Sequence, residues 1–149
     1  LYTGYLRGAG STNDVSLDSY GSPGEQEALL TRHIKGLREA GYRDGEITIL
    51  SFCSPASSVS ARLRAAGHQL VELGSPDERP GRIGYTSVHA FKGLENCAVI
   101  LTDVSVGSAD FHRQVFYTAM TRSTGPVRIL GHMSSAPTLM KWMMEGLHA

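Results

Sequence analysis

Cysteine is scarce in this chain. Only Cys53 and Cys97 occur, far apart and in no CxxC pair, which argues against a zinc or dithiol motif built from neighbouring thiols. Each lies in or beside an apolar strand, so both read as buried free thiols, as in a reducing cytoplasm. Long apolar runs are missing too: no segment approaches membrane-spanning length and no signal peptide is visible. The expectation is a cytoplasmic chain with no membrane partner. Neither sign of charge is in excess, with 14 Lys and Arg against 14 Asp and Glu. Bulk electrostatics therefore do not announce nucleic acid, and any such contact must come from local geometry. His33, His68 and His148 show no metal-ligand grouping, and no metal site is expected. No GxxxxGK(S/T) occurs, which excludes a P-loop. Aromatic side chains suited to base stacking are sparse; Tyr85 and Phe91 are the nearest candidates to the stretch singled out below.

What is present suffices for one folded domain. At 149 residues, with ordinary apolar and charged shares, the chain can bury a real core. It begins with Leu rather than Met, and a piece of a larger protein is expected. Residues 1–13 are Gly- and Ser-rich and read as a lead-in or linker; the domain is expected over 14–149. A short strand is expected over 15–19. Ser22 as N-cap, Pro23 at the first helical position and Glu25 three after the cap start a helix. Its buried face is Leu29, Leu30, Ile34, Leu37 and Ala40, and Gly41 ends it. Residues 46–53 form a β-branched strand. Ser54-Pro55 repeats the capping signal, for a helix to about Ala66 with Gly67 at its end. A short strand over 68–73 and a surface loop over 75–81 follow. The unbroken apolar run 97–104 suits a strand covered on both faces. Ser108 can cap a helix to about Arg122, with Phe111, Val115 and Ala119 in one row. A strand over 127–130 and an amphipathic helix over 136–147, carrying Leu139, Trp142, Met143 and Leu147, complete the chain. Strands alternating with helices predict an α/β fold with a mainly parallel sheet flanked by helices.

One connector is too polar to be only a turn. Residues 86–95 read TSVHAFKGLE and sit between two apolar strands. Such sheets place ligands at the carboxyl ends of their strands. Two stretches are expected to deliver polar residues there, 86–95 and the end of the helix at 117–122, Tyr-Thr-Ala-Met-Thr-Arg. The planar guanidinium of Arg122 suits a phosphate better than a lysine would. A carboxylate beside a Gly turn, as at Glu95, can accept from sugar hydroxyls. Hydroxyl and imidazole donors at strand ends, as at Thr86 and His89, are common phosphate contacts.

These residues resemble the motifs of superfamily 1 helicases. TSVHAFKGLE followed by CAVILTDV is similar to motif V/Va, and FYTAMTRS some twenty residues later to motif VI. The likeness is strongest to the UvrD/PcrA/Rep branch and its shorter relatives, and GEITILSF resembles the strand that opens the same domain. Order and approximate spacing agree from about residue 15 to 131. The resemblance implies the second RecA-like domain of an ATP-dependent DNA helicase or translocase, an α/β fold lacking its own P-loop. An N-terminal RecA-like domain of the same polypeptide would carry the Walker A and B residues and hold most of the ATP and its Mg2+. By the same implication Arg122 is an arginine finger aimed at the γ-phosphate. Glu95 contacts the ribose, Gly93 lets the backbone approach the nucleotide, Lys92 lies near the phosphates or braces the turn, and Thr121 orients the arginine loop. Thr86 and His89 match positions that face single-stranded DNA. The fragment alone is expected to be catalytically inactive.

Some residues depart from the pattern. The motif IV arginine has no counterpart, Arg7 being poorly placed for it. About thirty residues between the opening strand and motif V leave no room for the 2B insertion. Ser123 stands where the family usually has Ala. A RecD-like helicase domain and a degenerate helicase domain serving only as a nucleic-acid or protein-binding module are the alternatives. Taken singly, His89 reads as a structural histidine, Lys92 with Glu95 as a surface ion pair, Arg122 as a cation capping a helix C-terminus, and Tyr117 as packing. Asp103 stays open between core and site.

Overall fold

The computed structural model describes residues 3–7, 14–91, 93–105 and 113–147. Its strands are β1 (Thr3–Arg7), β2 (Asp14–Tyr20), β3 (Ile47–Ser51), β4 (Leu70–Glu72), β5 (Ile83–Ser87), β6 (Ala98–Val104) and β7 (Val127–His132). Its helices are α1 (Pro23–Glu39), α2 (Val59–Ala65), α3 (Arg113–Met120) and α4 (Ala136–Leu147). The strands form one sheet in the order β1-β2-β7-β6-β3-β5-β4. All neighbours from β2 to β4 are parallel, and β1 pairs antiparallel with β2 at the edge. The segment expected as a plain lead-in therefore contributes an edge strand.

The layers follow from strand alternation. On β3, Ile47 and Ile49 face the cluster formed with α1 and α2, through Leu30, Ile34, Leu37, Val59 and Leu63. Leu50 faces the opposite cluster, built with Phe116, Ala119 and Met120 of α3 and Ala136, Leu139 and Met143 of α4. Residues Ala98 to Leu101 of β6 are wholly buried because both faces are covered. Among the described residues no helix is long and apolar enough to cross a membrane.

The helix starts show how local chemistry sets the elements. At α1, the Ser22 hydroxyl accepts the Glu25 N–H at 3.3 Å and the Glu25 carboxylate accepts the Gly21 N–H at 3.1 Å, satisfying two donors that a bare helix start would orphan. The Ser54-Pro55 signal instead opens a single 3-10 turn over Pro55–Ser57. The real cap of α2 is Ser58, whose hydroxyl accepts the Ala61 N–H at 3.3 Å. Replacing Ser58 with Ala should lower stability by about 0.5–2 kcal/mol in urea denaturation. Ser54→Ala should sit near neutral, since its hydroxyl only meets that of Ser57 on the surface; equal losses from the two variants would refute this assignment. The expected Ser108 cap and Phe111 lie outside the described residues, as does His148.

Asp103 is structural. It stands next to last in β6 at φ 58°, a left-handed conformation, within an irregularity in the β6–β7 pairing. Gln26 of α1, 2 % exposed, reads it twice: its carbonyl oxygen accepts the Asp103 N–H at 2.7 Å and its amide donates to Oδ1 at 3.1 Å. The Val59 N–H donates to Oδ2 at 3.3 Å. One carboxylate thus ties β6 to α1 and α2. Cys53 and Cys97 are free but half-buried rather than fully buried. Burial, with Asp103 nearby, pushes the Cys53 thiol up to about 11, so it stays protonated and unreactive near neutral pH.

Candidate nucleotide and nucleic-acid site

The parallel topology separates what the sequence put together. β5, β6 and β7 run in one direction, so Ser87 ends β5 at the carboxyl end of the sheet. Helix α3 leaves β6 and returns the chain to the start of β7. Its last turn, with Thr121 and Arg122, must therefore lie at the amino end. The expectation that both polar stretches converge at the carboxyl ends is corrected accordingly. The connector 88–97 likewise has to travel from the carboxyl end of β5 to the amino end of β6. It does so without a helix, along the α3/α4 face, and Phe91 anchors it in the core there at 5 % exposure.

The two stretches meet at the far end of this path. Arg122 Nε donates to the Thr118 carbonyl at 3.2 Å, Nη1 to the Leu94 carbonyl at 3.3 Å, and Nη2 to the Thr121 hydroxyl at 3.3 Å. Thr121 Oγ1 in turn donates to the Thr118 carbonyl at 2.7 Å. The Asn96 N–H donates to the Arg122 carbonyl at 2.9 Å. Glu95 thus lies between the two residues that Arg122 holds. A guanidinium has five N–H donors; with three committed within the chain, the fork is fixed in direction and keeps two donors for an outside acceptor.

The remaining site residues fall out as follows. Glu95 and His89 are exposed, and neither makes a hydrogen bond or ion pair with any described residue. Gly93 has φ 80°, which a side chain would strain, while the space beside its Cα is open. Thr86 is 4 % exposed: it pairs in register with Leu50 and points into the same covered face. Most of the side chain is therefore covered, and the hydroxyl makes no hydrogen bond with any described residue. Tyr85 and Phe91 are both buried, so neither offers a ring to a base. Lys92 lies outside the described residues. Tyr117 is a tether: its hydroxyl donates to Glu145 at 3.2 Å, and the Arg113 guanidinium lies 5.6 Å from its ring centre.

Two grooves flank the turn. One, about 290 Å³, is lined by Val88, His89, Gln114, Val115, Thr118 and Arg122, between the connector and α3. The other, about 340 Å³, lies at the amino edge, where Phe91, Leu94, Glu95 and Asn96 face Arg79 and Arg82 of the 73–82 loop. Leu94, which lines the second groove, is 56 % exposed. The sequence pointed to His89 and to the stretch 117–122 but not to Gln114, which stands four residues before Thr118 on the same side of α3. Ser123, read from the sequence only as a departure from the usual Ala, has a structural role. That hydroxyl is buried within 2.8 Å of the Pro126 carbonyl and 3.0 Å of the Cys97 carbonyl, and it fixes the exit from the arginine turn. Gly125 is needed beside it, since a Cβ there would come within 2.7 Å of the Cys97 carbonyl.

A mainly parallel sheet flanked by helices on both faces, with no P-loop of its own, defines a RecA-like α/β domain. The sequence model of the UvrD-like helicase C-terminal domain matches residues 85–130, which span β5, the connector, β6, α3 and the arginine turn up to β7. The likeness to UvrD-like helicase C-terminal domains therefore holds over the stretch that carries the site. Eighteen chains of solved structures match the fold. One is the crystal structure of the C-terminal domain of a possible DNA helicase from Lactobacillus plantarum WCFS1, with TM-score 0.58 and 16% identity, covering 85% of this chain and 76% of that one. At that identity the likeness is one of fold. No curated protein matches the chain.

Proposed function

We propose that this chain is the second RecA-like lobe of an ATP-dependent, UvrD-like DNA helicase or translocase, acting with an N-terminal RecA-like lobe of the same polypeptide in the cytoplasm. The observation that carries the reading is the hydrogen bond from Arg122 to Leu94: one connector has exposed His89 at one end and is bound by the arginine at the other. Arg122, with two donors spare, is the finger that neutralises charge on the γ-phosphate as it transfers to water. Thr121 holds that guanidinium in line. Glu95, free and beside the arginine, accepts from the ribose hydroxyls, and Gly93 with Lys92 shapes the turn around the nucleotide. His89 contacts single-stranded DNA, while Thr86 supports the strand end from beneath. Among the described residues no three His, Cys, Asp or Glu side chains converge. On this reading the metal and most of the ATP belong to the other lobe, and this chain alone should not turn over ATP.

The test is ATP turnover by the intact polypeptide as oligothymidylate is added. Turnover should rise with the strand, and His89→Ala should increase the half-saturating strand concentration roughly tenfold while leaving basal turnover unchanged. A wild-type protein whose turnover ignores single-stranded DNA would overturn the reading and favour a non-motor binding module.

A further inference from the structure

We propose that Gln114 is a second contact for the single strand, donating its side-chain amide to a phosphodiester oxygen beside His89. This rests on the motor reading above and extends its nucleic-acid end. Gln114 is exposed on α3, makes no hydrogen bond or ion pair with any described residue, and lines the same groove of about 290 Å³ as His89 and Arg122. Gln114, Thr118 and Arg122 recur every four residues, so they stand in one row, spaced about 6 Å apart along the helix. α3 runs antiparallel to the strands. Gln114 therefore lies at the carboxyl end of the sheet, where His89 emerges, and Arg122 lies about 12 Å further along, at the amino end. The groove thus has two chemically different ends. At the arginine end the donor is a fixed cation, suited to a terminal phosphate with concentrated charge. At the other end the donors are an imidazole and a neutral amide, suited to the singly charged phosphates of a strand that must slide past. A neutral donor adds orientation without adding counterion release, so its contribution should be insensitive to salt. Its neighbour Arg113 is already committed to Glu145, at 3.3 Å, and does not compete for the strand.

The experiment is a charge series at position 114 in the intact polypeptide, read as the oligothymidylate concentration that half-saturates ATP turnover. Gln114→Ala should raise it about 3- to 10-fold, with the slope against salt unchanged. Gln114→Glu, nearly isosteric, should raise it further by repelling phosphate, and Gln114→Lys should restore or lower it while steepening the salt dependence. A residue that merely packs would treat Glu and Lys alike. If the wild-type protein responds to the strand and the three variants are indistinguishable from it, or Glu and Lys behave identically, the assignment of Gln114 is wrong and the motor reading stands. If the wild type does not respond at all, the motor reading itself fails.

Discussion

Arg122→Ala should lower ATP turnover of the intact polypeptide roughly a thousandfold or more, while nucleotide affinity stays within a few-fold. The size follows from what the guanidinium is placed to do. Binding energy that exists equally in ground and transition states changes affinity, whereas a cation aimed at charge that grows during transfer changes rate. The three intramolecular hydrogen bonds of Arg122 mean that no reorganisation is needed when the phosphate arrives. Arg122→Lys should recover little, because an ammonium on a flexible stem cannot hold the Thr118, Leu94 and Thr121 oxygens and still present a planar fork. Turnover within tenfold of wild type in the alanine variant, measured in single-turnover experiments, would remove Arg122 from the reaction.

Phe116→Ala should be the most damaging core substitution near the site, costing about 3–5 kcal/mol of stability. Phe116 is fully buried, with its ring 5.9 Å from that of Trp142 on α4 and 6.2 Å from that of Tyr117. Phe116, Ala119 and Met120 are the buried residues of α3, and Phe116 is the largest wholly buried side chain on the helix that presents Gln114 and leads into Arg122. Against a typical domain stability of about 5–15 kcal/mol the loss is a large fraction. Urea denaturation of the purified domain checks it. A shift worth under about 1 kcal/mol would mean that α3 is held chiefly by its polar contacts, such as Tyr117 with Glu145.

Much of this architecture could be read from local chemistry. The last helix was legible to its bounds because Leu139, Trp142 and Met143 repeat at helical spacing, and α1 was legible because Ser22, Pro23 and Glu25 each satisfy a distinct need of a helix start. The stretch 54–58 misled because it offers two serine caps a turn apart, and Pro55 suits a 3-10 turn as well as an α-helical one. Arg122 was found by its pattern but assigned to the wrong end of the sheet. A motif carries residue types, whereas its end of the sheet depends on which way the helix bearing it runs, and that is set by strand pairing far away in the sequence. Nothing in a single glutamine marks Gln114 in the sequence; only the fold brings it to the groove that His89 also lines.

The burial of Phe91 has a mechanical consequence. The start of the connector is pinned where the Val88 N–H bonds the Ser51 carbonyl at 2.9 Å, and its end where Asn96 bonds the Arg122 carbonyl at 2.9 Å. With about 3.3–3.6 Å of reach per residue, the residues between those two pins would hold ample slack. Phe91, buried in the core cluster with α3 and α4, is a third fixed point, so the parts of the connector that carry His89 and Leu94 are each short and are held separately.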